Sequence, residues 1–371
     1  MTNYNAALSP YPHTTCGDER VNDAHLSGLQ TDFALDMAKA APDLNSKDLA
    51  ARFAQSLFDK LTQDGANDTE SLITKGAQAF YAVGREAIGP LAVSFVDAVL
   101  QDCPGGTVIF PARDATPFYH IAQKLITLGG QKYPVQADDL HNPVFNRQLW
   151  GVDDEQDEAG STSEIQDPLV QRLLVELGFT SSRPISFVEV GAWGTMVDSL
   201  KSAMQAGTMA EQPFSVYFLY SHMPDNIYGF LNAHCPNSTN GELETIADSF
   251  EALPKTFMRP TKLRVTNAGH IEPDLTGKII PSPFLQPWSD AIRAGFVDAA
   301  NDYVLGGQLM DVPAEIVRLG NLSVLAASGD FTGILPDHTE TWSGGEAWKQ
   351  NWKWGKTLPL TQEVHHVSYI V

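Results

Sequence analysis

The feature that most constrains this chain is a rhythm that occurs twice: a short apolar, β-favouring run, then a tight loop, then a segment with helical spacing. In the first unit TVIF (Thr107–Phe110) follows a Gly–Gly turn, PARDATP forms the loop, and FYHIAQKLITL sets Phe118, Ile121, Leu125 and Leu128 along one helical face. In the second, PISFVEV is the strand, GAWGT the loop, and MVDSLKSAMQAG the helix, with Gly207 placed to end it. FSVYFLYS reads as a third strand. Strands separated by helices pair in parallel through right-handed crossovers. The expected fold class is therefore α/β, with a parallel sheet as its core.

Around these units the chain divides into three parts. Residues 1–75 hold an irregular lead-in, rich in Pro, Asn, Thr and Asp over the first thirty, and then N-terminal helix. There SKDLAARFAQSLFDKL repeats Leu49, Phe53, Leu57 and Leu61 every four residues behind Ser46 as N-cap. Residues 76–255 carry the α/β core, with a helix through PLAVSFVDAVLQ that Pro90 starts and CPGG stops. Between the two units lies acidic GVDDEQDEAGSTSEIQDP, either a mobile excursion or the lead into the helix PLVQRLLVELGF. Residues 256–371 form a C-terminal extension packed on the core. Its periodicity is weaker, but it includes the helix PWSDAIRAGFVDAANDYVLGG and an aromatic-rich tail ending in β-type alternation.

Composition removes several functions. The formal charge is −21 over 371 residues, a field that repels phosphate backbones and anionic membranes, so general nucleic-acid binding is not expected. A small phosphorylated ligand is still allowed, because a few local donors outweigh a screened distant field. Cys16, Cys103 and Cys235 are too few and too scattered for a disulfide framework or a zinc site. No basic-then-apolar leader opens the sequence, and no apolar run reaches the roughly 18–20 residues that span a bilayer, so cytoplasm is the expected location.

In open α/β sheets ligands collect where strands end and helices begin, since helix N-termini present unpaired N–H groups and partial positive charge. In VEVGAWGTM, Gly191 and Gly194 let a ligand approach the backbone beside Trp193, Thr195 adds a hydroxyl or caps the helix, and Glu189 can accept from sugar hydroxyls or hold a cation. In PARDATP, Arg113 can clamp a phosphate through two bonds, and Asp114 can act as base or metal ligand. Arg147, in VFNRQLWG, offers a second cation for the same pocket. Each feature also has a purely structural use: a tight βα turn, a bracing Arg–Asp pair, a surface ion pair. His365 and His366 point to opposite faces of a strand, and His222, His234 and Cys235 match no metal spacing. The tryptophans at 342, 348, 352 and 354 read as core or interface anchors, with sugar stacking as the functional alternative. No GxSxG, Walker or HExxH motif occurs.

The order AIGPLAVSFVDAVL, TVIFPARDATPFYHIAQKL, PVFNRQLWG, FVEVGAWGTMVDSL resembles a bacterial family of poorly defined activity. Its members show an "iGp…F" helix, an "aRDG" turn, an "SR" element and a "vDxGxxGT" turn, and occur in large polysaccharide-biosynthesis proteins, sometimes behind a haloacid-dehalogenase-like hydrolase domain. The likeness covers about residues 80–300. Ala115 stands where the family has Gly, Asn146 where it has Ser, and Glu189 where it has Asp. No strand followed by DxDx[TV] is present, so the fused domain's phosphatase chemistry does not carry over. More coarsely, the arrangement looks like phosphoribosyltransferases, with PARDATP in the place of the pyrophosphate loop and VEVGAWGT in that of the ribose-phosphate loop, although their adjacent acid pair is reduced to Glu189.

Together these readings imply a Rossmann-like or phosphoribosyltransferase-like core and an enzyme acting on a phosphorylated sugar or nucleotide. The expected reaction is glycosyl or phosphoribosyl transfer, and the family resemblance implies a place in surface-polysaccharide metabolism. Arg113 and Arg147 would neutralise phosphate, Gly191, Trp193, Gly194 and Thr195 would surround a second phosphate, and Asp114 and Glu189 would bind hydroxyls or Mg²⁺. The alternatives are a non-catalytic sugar-nucleotide-binding or scaffold module, and a phosphoester hydrolase using Asp114.

Overall fold

The structure is a computed structural model. It describes residues 61–62, 65–66, 68–112, 114–144, 149, 168–179, 183–191, 196–197, 200, 204, 213–221, 229–234, 243, 247, 250, 253–254, 256, 260, 262–280, 282–306 and 367–370. The lead-in, nearly all of the first expected helix, the acidic stretch and the four late tryptophans lie outside the described residues.

Three strands follow the sequence pattern closely: β1 is Thr107–Ile109, β3 is Ile185–Glu189 and β4 is Pro213–Phe218. A two-residue strand the pattern does not announce, β2 (Leu140–His141), pairs with the outer edge of β1. The four run parallel in the order β2–β1–β3–β4, and β7 (Val367–Ile370) adds an antiparallel edge to β4. The protein has an α/β fold.

Along β1, β3 and β4 side chains alternate between two buried layers, the period-two signature of a sheet covered on both faces. Val108, Val188 and Tyr217 face a layer built from α1 (Thr69–Ala82), α2 (Gly89–Asp102), α3 (Thr116–Gly129) and α6 (Leu285–Gly306). Ile109, Phe187 and Val216 face α4 (Pro168–Glu176) and the helical positions Val197, Leu200 and Met204. A second, small sheet is the hairpin of β5 (Leu263–Val265) and β6 (Ile271–Pro273), lying beside α4; α5 (Phe230–His234) follows β4.

The first layer is fastened by aromatic rings: Phe95 meets Phe118 at 5.3 Å and Phe230 at 5.5 Å, and Phe118 meets Phe250 at 5.3 Å. Each buried ring stabilises by roughly 1.5–3 kcal/mol. Of the α3 face expected from spacing, Phe118, Ile121 and Leu125 are buried, but Leu128 is 37% exposed because the helix ends at Gly129.

Helix α1 is not evident from periodicity. It starts on a reciprocal cap, Asp68 accepting from the Ser71 N–H at 2.7 Å. It ends in a wide turn, Val83–Ala87, where the Ile88 N–H reaches the Val83 carbonyl five residues back. Helix α6 packs along α1: Trp288 is buried, its Nε1–H donating to the Ile73 carbonyl at 3.0 Å, over Gly76, where any Cβ would lie 2.3 Å from the indole. The node below is Asp97, a buried carboxylate that accepts from Gln101, Lys132, Tyr133 and Tyr303 at 2.5, 2.9, 2.6 and 3.0 Å. Burial, reinforced by that carboxylate, raises the phenol pKa of both tyrosines.

Candidate functional site

Strand order decides where the loops go. The chain winds from β1 outward to β2 and then crosses back over β1 to β3 and on to β4. The covering helix changes face with that reversal, α3 on one side of the sheet and α4 on the other, as right-handed crossovers require. The place where winding reverses, between β1 and β3, is a topological switch point, and ligands of open α/β sheets bind in the crevice that opens there at the carboxyl ends. Parallel register aligns Ile109 with both His141 and Phe187. The turns after β1, β2 and β3 therefore leave the sheet side by side at one rim.

Of the residues expected to work together, the structure places Asp114, Glu189 and Gly191 at this rim, the first after β1 and the others at the end of β3. Asp114 is partly buried, immediately before the α3 N-cap, and Ala115 at the cap contributes no side-chain acceptor. Glu189 is partly buried and shares strand parity with Ile185 and Phe187, which face α4. Arg113, Arg147, Trp193, Gly194 and Thr195 lie outside the described residues.

The rim is braced by a residue that sequence reasoning missed, Asn142. Its Nδ2 donates to the Phe110 carbonyl at 2.8 Å, and its Oδ1 accepts from the Thr116 hydroxyl at 3.4 Å, so one amide spans both ends of the 110–116 turn. The Ala115 N–H donates to the Pro111 carbonyl at 3.1 Å, closing the turn from within, and the Ala112 N–H donates to the Pro143 carbonyl at 2.6 Å, tying the turn to the segment after β2. The signal was present as Asn142–Pro143, since a residue before proline is held extended, but β2 is too short to show a period. On the far side Asn232 plays a similar part: its Oδ1 accepts from the Ser221 and Gly229 N–H groups at 2.9 and 3.1 Å, and its Nδ2 donates to the Ser221 carbonyl at 3.0 Å.

Three partly buried histidines have pKa values lowered from the ordinary one. Burial is the main cause for His120, helped by the Arg293 charge, the main cause for His141, where Asp139 opposes it, and the cause for His234. His234 packs on Phe230, ring centroids 4.5 Å apart; His222 and Cys235 lie outside the described residues. Among the described residues no group of three or more His, Cys, Asp or Glu is placed to hold a metal ion. Cys103 is buried, and its thiol pKa is pushed up to about 11 by that burial. Among the described residues no helix is long and apolar enough to cross a membrane.

Next to the rim, on the outer side of β2, lies a cavity of about 480 Å³ between the segment His141–Val144, the second half of α4, and β6 with the His270 turn before it. Sequence reasoning did not find it, because its walls come from three elements distant in the chain. The chain matches no protein-family model and no curated protein.

Proposed function

We propose that this protein is an enzyme acting on a phosphorylated sugar or nucleotide, transferring a glycosyl or phosphoribosyl group from a phosphate leaving group. The observation that carries the reading is the strand order β2–β1–β3–β4, with the Asp114 turn and the Glu189–Gly191 turn side by side across the switch point. Such a crevice is where α/β sheets hold phosphates, at helix N-termini with backbone donors. The resemblance to the polysaccharide-associated bacterial family, and the coarser one to phosphoribosyltransferases, supports the same assignment. In this reading the core is Rossmann-like or phosphoribosyltransferase-like, and the protein works in the cytoplasm in surface-polysaccharide metabolism.

Arg113 and Arg147 neutralise the phosphate whose bond to the sugar breaks, and the backbone from Gly191 to Thr195, with Trp193, encloses the remaining phosphate. Asp114 and Glu189 orient hydroxyls, and Asp114 takes the proton of the attacking group. Asp114 stands in the turn after β1 and Glu189 ends the adjacent β3, and either carboxylate would suit Mg²⁺, which takes one or two carboxylates and completes its shell with substrate phosphates and water. Bound there, Mg²⁺ would supply charge neutralisation on the leaving phosphate.

A thermal-shift panel of sugar phosphates, nucleotides and phosphoribosyl pyrophosphate, with and without Mg²⁺, tests this. A true ligand at 100 times its Kd adds about 2.7 kcal/mol to stability. Turnover of that ligand should fall by roughly 2–4 kcal/mol of transition-state binding in Arg113→Ala, and should be lost in Asp114→Asn. A flat panel refutes the reading. Binding without turnover, indifferent to Asp114→Asn, makes the protein a sugar-nucleotide-binding module instead, and phosphate release from simple phosphoesters makes it a hydrolase.

A further inference from the structure

The cavity beside β2 is not used by the chemistry above. Its volume, about 480 Å³, lies within the range of small-molecule pockets. Its walls are apolar at Leu173, Leu177 and Ile271 and carry imidazoles at His141 and His270. Among the described lining residues there is no lysine or arginine, and the carboxylate of Glu176 accepts from the Ile271 N–H at 3.2 Å and pairs with Arg172 at 3.8 Å. An anionic group placed here would lose hydration beside an Arg172–Glu176 pair that is already neutralised, with no second cation among the described lining residues, which is unfavourable. A sugar ring would set hydroxyls against Leu173, Leu177 and Ile271, side chains that offer them no partner, also unfavourable. A flat, uncharged ring fits on both counts: it buries apolar faces, stacks on imidazole, and needs only one or two hydrogen bonds at its edge. The lowered pKa of His141 keeps that imidazole neutral near pH 7, with one donor and one acceptor.

Position adds the second argument. Asn142 lines the cavity and also ties down the 110–116 turn. Since β2 and β1 are paired neighbours, about 4.8 Å apart, a single ligand can reach from the cavity to the rim. We propose that the cavity binds the nucleobase of a nucleotide whose phosphates lie at the rim turns, an inference that rests on the rim being a phosphate site.

The test is isothermal titration of the full chain with the four common ribonucleosides, their 5′-diphosphates and ribose 5-phosphate, in the wild type and in two variants at partly or fully exposed wall positions, Val144→Trp and His270→Ala. At least one nucleoside should bind, its diphosphate more tightly. Val144→Trp, which fills the cavity, should weaken both by about tenfold or more and leave ribose 5-phosphate affinity unchanged; His270→Ala gives the same pattern by removing a stacking face. If ribose 5-phosphate binds but no nucleoside does, or if both variants bind nucleosides normally, the base site is overturned and the rim reading survives. If nucleosides bind in a Val144→Trp-sensitive way and phosphates add nothing, the base site stands and the rim reading fails.

Discussion

Replacing Asn142 by alanine removes two hydrogen bonds at once. The bond from Nδ2 to the Phe110 carbonyl is 2.8 Å long, and that from the Thr116 hydroxyl to Oδ1 is 3.4 Å and weaker. A neutral hydrogen bond contributes about 0.5–1.5 kcal/mol, and stranding a buried acceptor costs about 1–3 kcal/mol. Phe110 is fully buried, so its carbonyl loses a partner that water cannot easily replace. The expected loss is about 2 kcal/mol, read as a shift of the urea midpoint at constant slope. Asn142→Asp should be worse, about 3 kcal/mol, because a carboxylate then faces the Phe110 carbonyl where a donor stood. Amide exchange should report the same event locally. The Ala112 N–H, held by the Pro143 carbonyl at 2.6 Å, should lose protection beyond what the global change accounts for. If both variants stay within about 0.5 kcal/mol of the wild type, the amide does not brace the turn and the account of the rim is wrong.

Further outcomes are expected. Asp97→Asn should cost roughly 3 kcal/mol, since a carboxylate accepting from Lys132, Tyr133, Tyr303 and Gln101 becomes a group that must also donate; a change below about 1 kcal/mol would remove this node from the account. Gly106→Ala should cost about 3 kcal/mol by the same assay, because φ is +99° and a Cβ would sit 2.2 Å from the Pro184 carbonyl oxygen, which itself accepts the Thr107 N–H at 3.0 Å; an unchanged midpoint would show that the start of β1 can shift freely. Stability should fall as pH drops through about 6.5. His120, His141 and His234 all have folded pKa values below the ordinary 6.5, so the unfolded chain takes up protons first. The loss begins near 6.5 and ends once pH is below the folded values, with a slope no steeper than about 1.4 kcal/mol per pH unit for each histidine. Glutamine at all three positions should flatten the profile; a wild-type profile already flat over this range would contradict the burial of these rings.

Much of the fold was legible because it is written in local periods. TVI, ISFVE and the run from Pro213 are apolar on both faces, as central parallel strands must be, and the helices that follow Thr116, Pro168 and Leu285 repeat at helical spacing. Helix α1 was missed although Asp68 and Ser71 announced its cap, because its buried positions Gly76 and Ala79 carry little hydrophobic signal. The β5–β6 hairpin was missed because β5 leaves Arg264 and Val265 exposed, which gives no buried face to read.

What the residues settled by themselves was the alternation of strand and helix, and so the class of fold. What they left open was which strands become neighbours. A strand's partner is chosen by long-range packing, here by a two-residue strand that pairs with the outer edge of β1 and sends the chain back across it to β3. That choice creates the switch point, gives Asn142 the two turn ends it bridges, and assembles the cavity from His141, Leu177 and Ile271, residues far apart in sequence that meet only when α4 and β6 close against the sheet edge.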